Sequence, residues 1–499
     1  MPYYYRPPGV YPEKVVNPSM LSQFKSIRTP VVIGPGKSTI TATERILRTA
    51  NVCDLLSEDV IAVTRIGDYV DQFKYTEGTD FSVHPVEEGY SDSRICWDLG
   101  GDEPDVTEYY FVTYTYAAPS SQYQFHIYTD LNEVYSIHGQ PNTTNLVSLG
   151  AGLVLKNGAP QVGVLQLDLS DAVDPDNPSD SELYAAYIAT IPILETLDTT
   201  ECRYIVPMTT MGGYPGTVDY DAALFDMWEQ FYQHVKDMSL TSQRRWRMLI
   251  RGLGTEAPID TTTSTLVKGN AEAIADYFGS RASYDDDNAA RRTIIVFPGE
   301  IYIVTQDATV GSATYGQWVQ TLYDGSALAA AAAGRICSFD NAAETITWKD
   351  VAGWTTERIM SKADMDHMAE YGVCIYAFRG NFLHCRHALT TDRTDATTQE
   401  ISVVEIEDFI KINAIQMLEQ RYIGTLIVEG VTDSIRATWT ATLEQMINFQ
   451  TIAEYDLGSM SVTQDQNDPR IITIFCRIKP AYPLNWIDVK FQFYAGSRS

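Results

Sequence analysis

Basic residues are scarce in this chain. Its 499 residues carry 36 Lys and Arg against 65 Asp and Glu, a formal charge of −29. Nucleic-acid binders need the opposite balance to neutralise phosphates, so DNA or RNA is not expected as a direct partner. Long apolar runs are also missing. None approaches the ~18 residues of a membrane-spanning helix, and the run Ala327 to Ala333 stops at Gly334-Arg335. The opening Met1-Pro2-Tyr3-Tyr4-Tyr5-Arg6-Pro7 has no apolar core of signal-peptide type. A soluble protein made in the cytosol, with no direct membrane contact, is the expectation. Seven cysteines are scattered (Cys53, Cys96, Cys202, Cys337, Cys374, Cys385, Cys476) with no CxxC pair. A zinc ribbon or thioredoxin-type site is therefore not expected. Most should be small buried hydrophobes. Their odd number leaves room for a disulfide between chains outside the reducing cytosol. No GxSxG elbow, no HExxH and no repeat of fixed period occur.

What is present is a folding composition: 44% hydrophobic and 20% charged residues. The length suggests roughly two to four domains. Residues 1–25 read as an extended arm. Prolines at 2, 7, 8, 12 and 18 rule out a helix interior. Tyrosines, Tyr11 and Val15-Val16 supply side chains to lie on something, either the arm's own domain or the sheet of a neighbour.

Residues 26–118 read as an N-terminal segment with a β-rich, sandwich-like insertion. Ile61-Ala62-Val63 opens one strand, and Tyr75 to Phe81 is a strand broken by a turn. Along Tyr109 to Tyr116, Tyr110, Val112, Tyr114 and Tyr116 share a face. Over 119–398 strands and helices alternate, as in an α/β core with a mostly parallel sheet. Strands are expected at Val162 to Leu169, Arg203 to Met208, Trp246 to Ile250 and Thr293 to Phe297. Helices are expected from a cap at Asp180 or Ser181 through Leu194, on the face Leu224, Trp228, Phe231, Val235, and near Ala271 to Phe278. Residues 399–485 form a C-terminal α+β domain. One helix is marked by Ile406, Ile410, Ala414 and Met417. A second, capped by Thr432 or Asp433, is marked by Ile435, Trp439, Leu443 and Met446 or Ile447. Ile472, Ile474, Cys476 and Ile478 alternate along a strand. Residues 486–499 are a terminal strand or arm in which Ile487, Val489, Phe491 and Phe493 alternate with polar residues. The fold class is thus α+β multi-domain, with an α/β core and extended terminal arms.

Sites for chemistry are few. Gly36-Lys37-Ser38 ends like a phosphate loop, but the motif needs Gly at 31, where Val stands, and Pro35 removes an N–H from the loop. The stretch Asp174 to Asp180 lacks the central Gly and terminal Glu of a calcium loop, and Asp285-Asp286-Asp287 reads as a solvated loop. Only one dense site stands out among the seven histidines: Cys374 with His384, Cys385 and His387 on a hairpin, strand 373–378 and strand 382–388. Alternation sends His384 to the face opposite Cys385 and His387, which splits a would-be metal set. No catalytic residue, metal or cofactor is expected.

The order of pieces resembles one family. Pro8-Gly9-Val10-Tyr11 followed by Val31-Val32-Ile33-Gly34 is similar to the opening of contractile tail sheath proteins of myoviruses and related injection systems. Tyr75 to Phe81, Ile95-Cys96-Trp97 and Tyr109 to Tyr116 resemble the β-rich insertion of longer sheath subunits. Asn157-Gly158-Ala159 resembles the start of their α/β core. Gly334-Arg335, Gly353, the helix Ala363 to Tyr371, Gly372-Val373 and Thr390-Thr391 resemble its end. The resemblance implies a structural, non-enzymatic subunit of the virion tail, assembled in the host cytoplasm. Its partners would be copies of itself in stacked six-fold rings, an inner tail tube protein, and baseplate and tail terminator proteins. It implies terminal arms that pair as strands with neighbours, here Pro8, Gly9, Val10, Tyr11 and Val15 at one end and Ile487, Val489, Phe491 and Phe493 at the other. It also implies that the C-terminal domain faces the tube, through charges on helices 404–420 and 432–449 such as Glu405, Glu407, Asp408, Lys411 or Arg436. Two other readings stay open: a receptor- or glycan-binding tail or baseplate protein using the β-rich insertion and some of the 31 tyrosines, and an envelope hydrolase using the Cys374–His387 hairpin.

Overall fold

The computed structural model describes residues 28–37, 39–49, 53–57, 60–68, 74–84, 93–117, 120–142, 144–173, 178–209, 222–240, 242–253, 289–306, 317–356, 361–379, 382–394, 399–485 and 490. They form two units. The larger holds 28–338 and 346–399, the smaller 339–345 and the chain from 400.

In the larger unit, β1 (Pro30–Gly34) precedes a β-rich block: β2 (Thr39–Leu47), β3 (Cys53–Leu55), β4 (Val60–Gly67), β5 (Phe81–His84), β6 (Arg94–Trp97) and β7 (Tyr109–Ala117). Next come β8 (His126–Tyr128), α1 (Leu131–His138), α2 (Leu146–Lys156), β9 (Val162–Gln166), α3 (Asp180–Thr196), β10 (Tyr204–Pro207), α4 (Ala222–Met238), β11 (Met248–Gly252) and β12 (Thr293–Phe297). The unit ends with β13 (Glu300–Gln306), β14 (Trp318–Asp324), α5 (Gly325–Cys337), α6 (Lys362–Glu370), β15 (Val373–Arg379) and β16 (Phe382–Cys385).

Its frame is an eight-stranded sheet in the order β16-β15-β12-β11-β10-β1-β9-β8. The interior pairings are parallel, and the two edge strands pair antiparallel. All five residues of β1, β9, β11 and β12 are buried, which is why they read as mostly apolar runs rather than alternating ones, with Gln166, Arg251 and Thr293 as buried polar exceptions. Residues 30–34, grouped by sequence with the insertion, are instead a central strand. Val32 lies between Val164 of β9 and Val206 of β10. On one face Val31, Ile33, Leu165, Ile205, Leu249, Ile295 and Ile375 share a core with Tyr187 and Leu194 of α3, Trp228, Phe231 and Val235 of α4, and Met368 of α6. The side chain of Leu224 and the helix expected near 271–278 lie outside what is described.

Helix α5 packs on β10, β11 and β12 and against α2. Every residue of α5 except Arg335 is buried, so the alanine run is an internal helix made of small side chains. Close approach explains the choice. A Cβ on Gly252 would stand 1.9 Å from the carbonyl carbon of Gly325, inside the backbone that starts the helix. Asp324 caps α5 by accepting from the Ser326 amide at 2.9 Å. On α3 the cap is Ser179, one residue before the expected Asp180. Ser179 and Glu182 form a reciprocal capping box.

The β-rich block is two three-stranded sheets, β2-β7-β4 and β3-β6-β5, with one shared core. Tyr110, Val112 and Tyr114 of β7 are buried in it. Trp97 sits at its centre, with Tyr75 and Tyr110 edge-on at 5.2 Å. Buried Asp54 accepts from Trp97 Nε1 at 3.1 Å and Tyr110 Oη at 2.8 Å, so the two ring donors are satisfied inside the core. Cys53 and Cys96, directly opposed on β3 and β6, form a disulfide.

Two buried histidines make this unit acid-sensitive. Arg247 Nη1 donates to His234 Nε2 at 2.7 Å. Burial, then the neighbouring guanidinium charge, push His234 down to about 3. His138 donates from Nδ1 to Gln166 Oε1 at 2.9 Å, because Gln166 spends its amide on the Lys37 carbonyl. Its Nε2 then accepts from Tyr128 Oη at 3.1 Å. Burial lowers this histidine too. Both are neutral when folded and take up protons near pH ~6.5 when unfolded. Stability should therefore fall as pH drops below ~6.5, by about 1.4 kcal/mol per pH unit for each group until its folded pKa is reached. Melting temperatures between pH 7.5 and 4.5 should fall less steeply in His234→Gln than in the parent. Equal slopes would remove His234 from the account.

The smaller unit comprises α7 (Ile401–Tyr422), α8 (Val431–Asn448), β17 (Ile452–Gln464) and β18 (Ile472–Pro480). Ile406 and Phe409 of α7 pack with Trp439, Leu443 and Met446 of α8 and Ile452 and Met460 of β17. Helix α8 does not begin on a Thr432 or Asp433 cap. It starts after Gly430, whose left-handed φ of 86° ends the preceding turn, and no side chain caps it. Among the described residues the two strands pair with each other, with register shifts at Ile452/Glu454 and Asp456/Ser461.

Candidate assembly surfaces

The arm residues expected to link copies (Pro8, Gly9, Val10, Tyr11, Val15, Ile487, Val489, Phe491 and Phe493) lie outside the described residues. What is described is a surface able to receive such a strand. In β18, Ile472, Ile474, Cys476 and Ile478 are partly buried toward the unit's core, while Thr473, Phe475, Arg477 and Lys479 face outward. The alternation read from the sequence holds at every position. A two-stranded sheet has two outer edges. Among the described residues no third strand joins it, and an edge left unpaired is one that an added strand can extend.

The five charges proposed to meet a tube separate into two groups. Glu405 and Asp408 are 3% and 1% exposed. Glu407 and Lys411 are half-buried and pair with each other at 2.8 Å, and Arg436 is exposed. The first turns of α7 are buried almost all round, with Ile401 to Ile406, Asp408 and Phe409 all covered. A one-sided helix is therefore the wrong picture for that stretch.

Sequence reading passed over another surface. Between α7 and α8, Ile423, Leu426 and Val428 are 76%, 83% and 61% exposed. The signal was there: an apolar run in a loop, where polar residues are the rule.

The hairpin singled out for its cysteines and histidines forms as expected from β15 and β16. His384 lies against the Trp348 ring, with centroids 5.2 Å apart. Cys374 and Cys385 are fully buried, their sulfurs 3.4 Å apart. Of the five cysteines outside the disulfide, only Cys476 is partly exposed. Among the described residues no three His, Cys, Asp or Glu side chains converge as a metal set, and no helix is long and apolar enough to cross a membrane.

No family model matches the chain. It is 23% identical over 434 residues to a tail sheath protein of Mycobacterium phage Bxz1, covering 84% of this chain and 65% of that protein, so the chain spans just under two thirds of that relative's length. Among solved structures, the helical sheath of the anti-feeding prophage in its contracted state matches with a TM-score of 0.49 and 13% identity, over 98% of this chain and 99% of that one. A sheath tail protein from Desulfitobacterium hafniense matches with a TM-score of 0.45 and 11% identity, over 95% and 97% of the two chains.

Proposed function

We propose that this chain is a structural subunit of a contractile tail sheath, which polymerises around an inner tube and shortens to drive that tube through a target envelope. The observation that carries this reading is the alignment with a phage tail sheath protein along 84% of the chain. The architecture is compatible with it. A rigid α/β unit supplies a body that can move without deforming, and a small α+β unit carries a sheet with open edges. Residues 8–15 and 487–493 are the strands proposed to fill those edges on neighbouring copies. Glu407, Lys411 and Arg436 are the charges proposed to meet the tube, and stacked rings, a baseplate and a terminator complete the partner set. The subunit's role in this reading is mechanical rather than catalytic.

The test is electron microscopy of the purified protein alone. Rings or cylinders, most readily in the contracted form, are the expected result. A protein that stays monomeric at high concentration through a range of salt conditions would end the proposal.

A further inference from the structure

We infer that Cys374 and Cys385 are an oxidisable pair, a site for a second disulfide within the chain. Strand register, independently of the sheath reading, brings the two side chains together. Tyr376 of β15 stands opposite Cys385 of β16. Cys374 lies two residues before Tyr376, so its side chain leaves the same face of the hairpin, diagonal to Cys385. That places the sulfurs 3.4 Å apart, with both residues fully buried. A disulfide needs about 2.0 Å between sulfurs and Cα atoms no more than about 7 Å apart, close to the spacing of diagonal cross-strand neighbours, so closing the remaining gap draws the two strands slightly together. The antiparallel pairing already holds the two backbones side by side.

The redox step balances with an oxidant from outside, either a small organic disulfide or a peroxide. Because both thiols are fully buried, the oxidant reaches them when the edge strand opens locally; with a small disulfide, one cysteine then loses its proton and attacks as thiolate, releasing one small thiol and leaving a mixed disulfide. The second cysteine attacks that bond and releases the other small thiol. Two protons and two electrons pass from the protein to the oxidant. Once the first sulfur has reacted, the second is already in place, so closure outruns attack by a second oxidant molecule.

The position gives the bond a structural consequence. Strand β16 ends the eight-stranded sheet and pairs only with β15 within it. The Cys385 carbonyl also accepts from the Trp348 amide at 2.7 Å, and the Cys385 amide donates to the Lys349 carbonyl at 3.0 Å. Trp348 and Lys349 lie two and three residues after Ile346, where the chain re-enters the larger unit. A bond from Cys374 to Cys385 would fasten both the outer strand and this returning segment to β15.

The experiment uses the intact, folded protein. It is held with dithiothreitol too mild to open Cys53–Cys96, desalted, then exposed to oxidised glutathione or hydrogen peroxide, and alkylated in denaturant. Five alkylatable thiols before oxidation should fall to three, with the peptides holding Cys374 and Cys385 joined in non-reducing mass spectrometry. In Cys374→Ser no pair should be lost. If that variant fails to fold, the count and the peptide map of the parent protein still decide. Five thiols persisting after prolonged exposure would overturn the inference. So would separate glutathione adducts on Cys374 and Cys385, or joined peptides from a different pair.

Discussion

A subunit lacking residues 1–20 is expected to fold and to form no cylinders. Folding should survive because the cut stops short of the described core. The nearest element is β1, from Pro30, and the nearest buried anchor is Arg28, which donates from Nη1 to the Ile336 carbonyl at 3.1 Å. The prolines at 2, 7, 8, 12 and 18 keep the deleted segment out of a helical core. Its backbone groups still need partners, and in the sheath reading the outer edges of the β17–β18 sheet on another copy are proposed to supply them. One strand-sized joint is modest. Each hydrogen bond contributes about 0.5–1.5 kcal/mol net, and each fully buried Tyr, Val or Phe adds roughly 1.5–3 kcal/mol. In the sheath reading every subunit would repeat the joint, so a cylinder would be lost when all of them go. Val489→Pro should act alike, since it deletes a ladder donor in the other proposed arm. Circular dichroism and electron microscopy on both variants provide the readout. Truncated protein that forms cylinders as readily as the intact chain would show that the arms are not the linkage.

How far the fold could be read in advance depended on how local its causes are. The strand β7 was legible because Tyr110, Val112 and Tyr114 share the face that meets the core, with Phe111 and Thr113 between them. The parallel strands were legible as apolar runs, and β12 began and ended where expected. What was not legible was partnership. Val31 to Gly34 carry no mark of pairing with β9 and β10, because those strands lie more than a hundred residues downstream and register is set by tertiary packing. The alanine run was read only as too short for a membrane. Its role as the internal helix α5 depends on Gly252 meeting Gly325, a contact between distant segments. The cysteines were read as mostly isolated small hydrophobes. Cys53 and Cys96 are 43 residues apart in sequence, and only the pairing of β3 with β6 brings them together. The surfaces were the hardest part, since an amphipathic pattern marks one covered face and leaves open whether a second element covers the other. Glu405 and Asp408 are the case in point.

Reversing those two carboxylates should damage the subunit itself, whereas reversing Arg436 should leave it folded. Glu405→Lys or Asp408→Lys puts an ammonium where the surroundings are arranged around a carboxylate that is 3% or 1% exposed. A buried charge of the wrong sign destabilises by roughly 3–5 kcal/mol, a large share of the 5–15 kcal/mol that typically separates folded from unfolded domains. Early melting, and loss of assembly as its consequence, are the expected results. Arg436 stands in solvent on α8, one residue past the buried Ile435. Arg436→Glu removes no packing there and should melt with the parent. Lys411→Glu breaks only the half-exposed pair with Glu407, and exposed pairs of this kind contribute little. If the sheath reading and the tube contact both hold, these two folded variants should still polymerise yet fail to co-sediment with tube. The two measurements separate the claims. A Glu405→Lys subunit that melts with the parent would contradict the buried placement of α7. Arg436→Glu and Lys411→Glu subunits that still bind tube at parental levels would move the contact elsewhere, with the fold untouched.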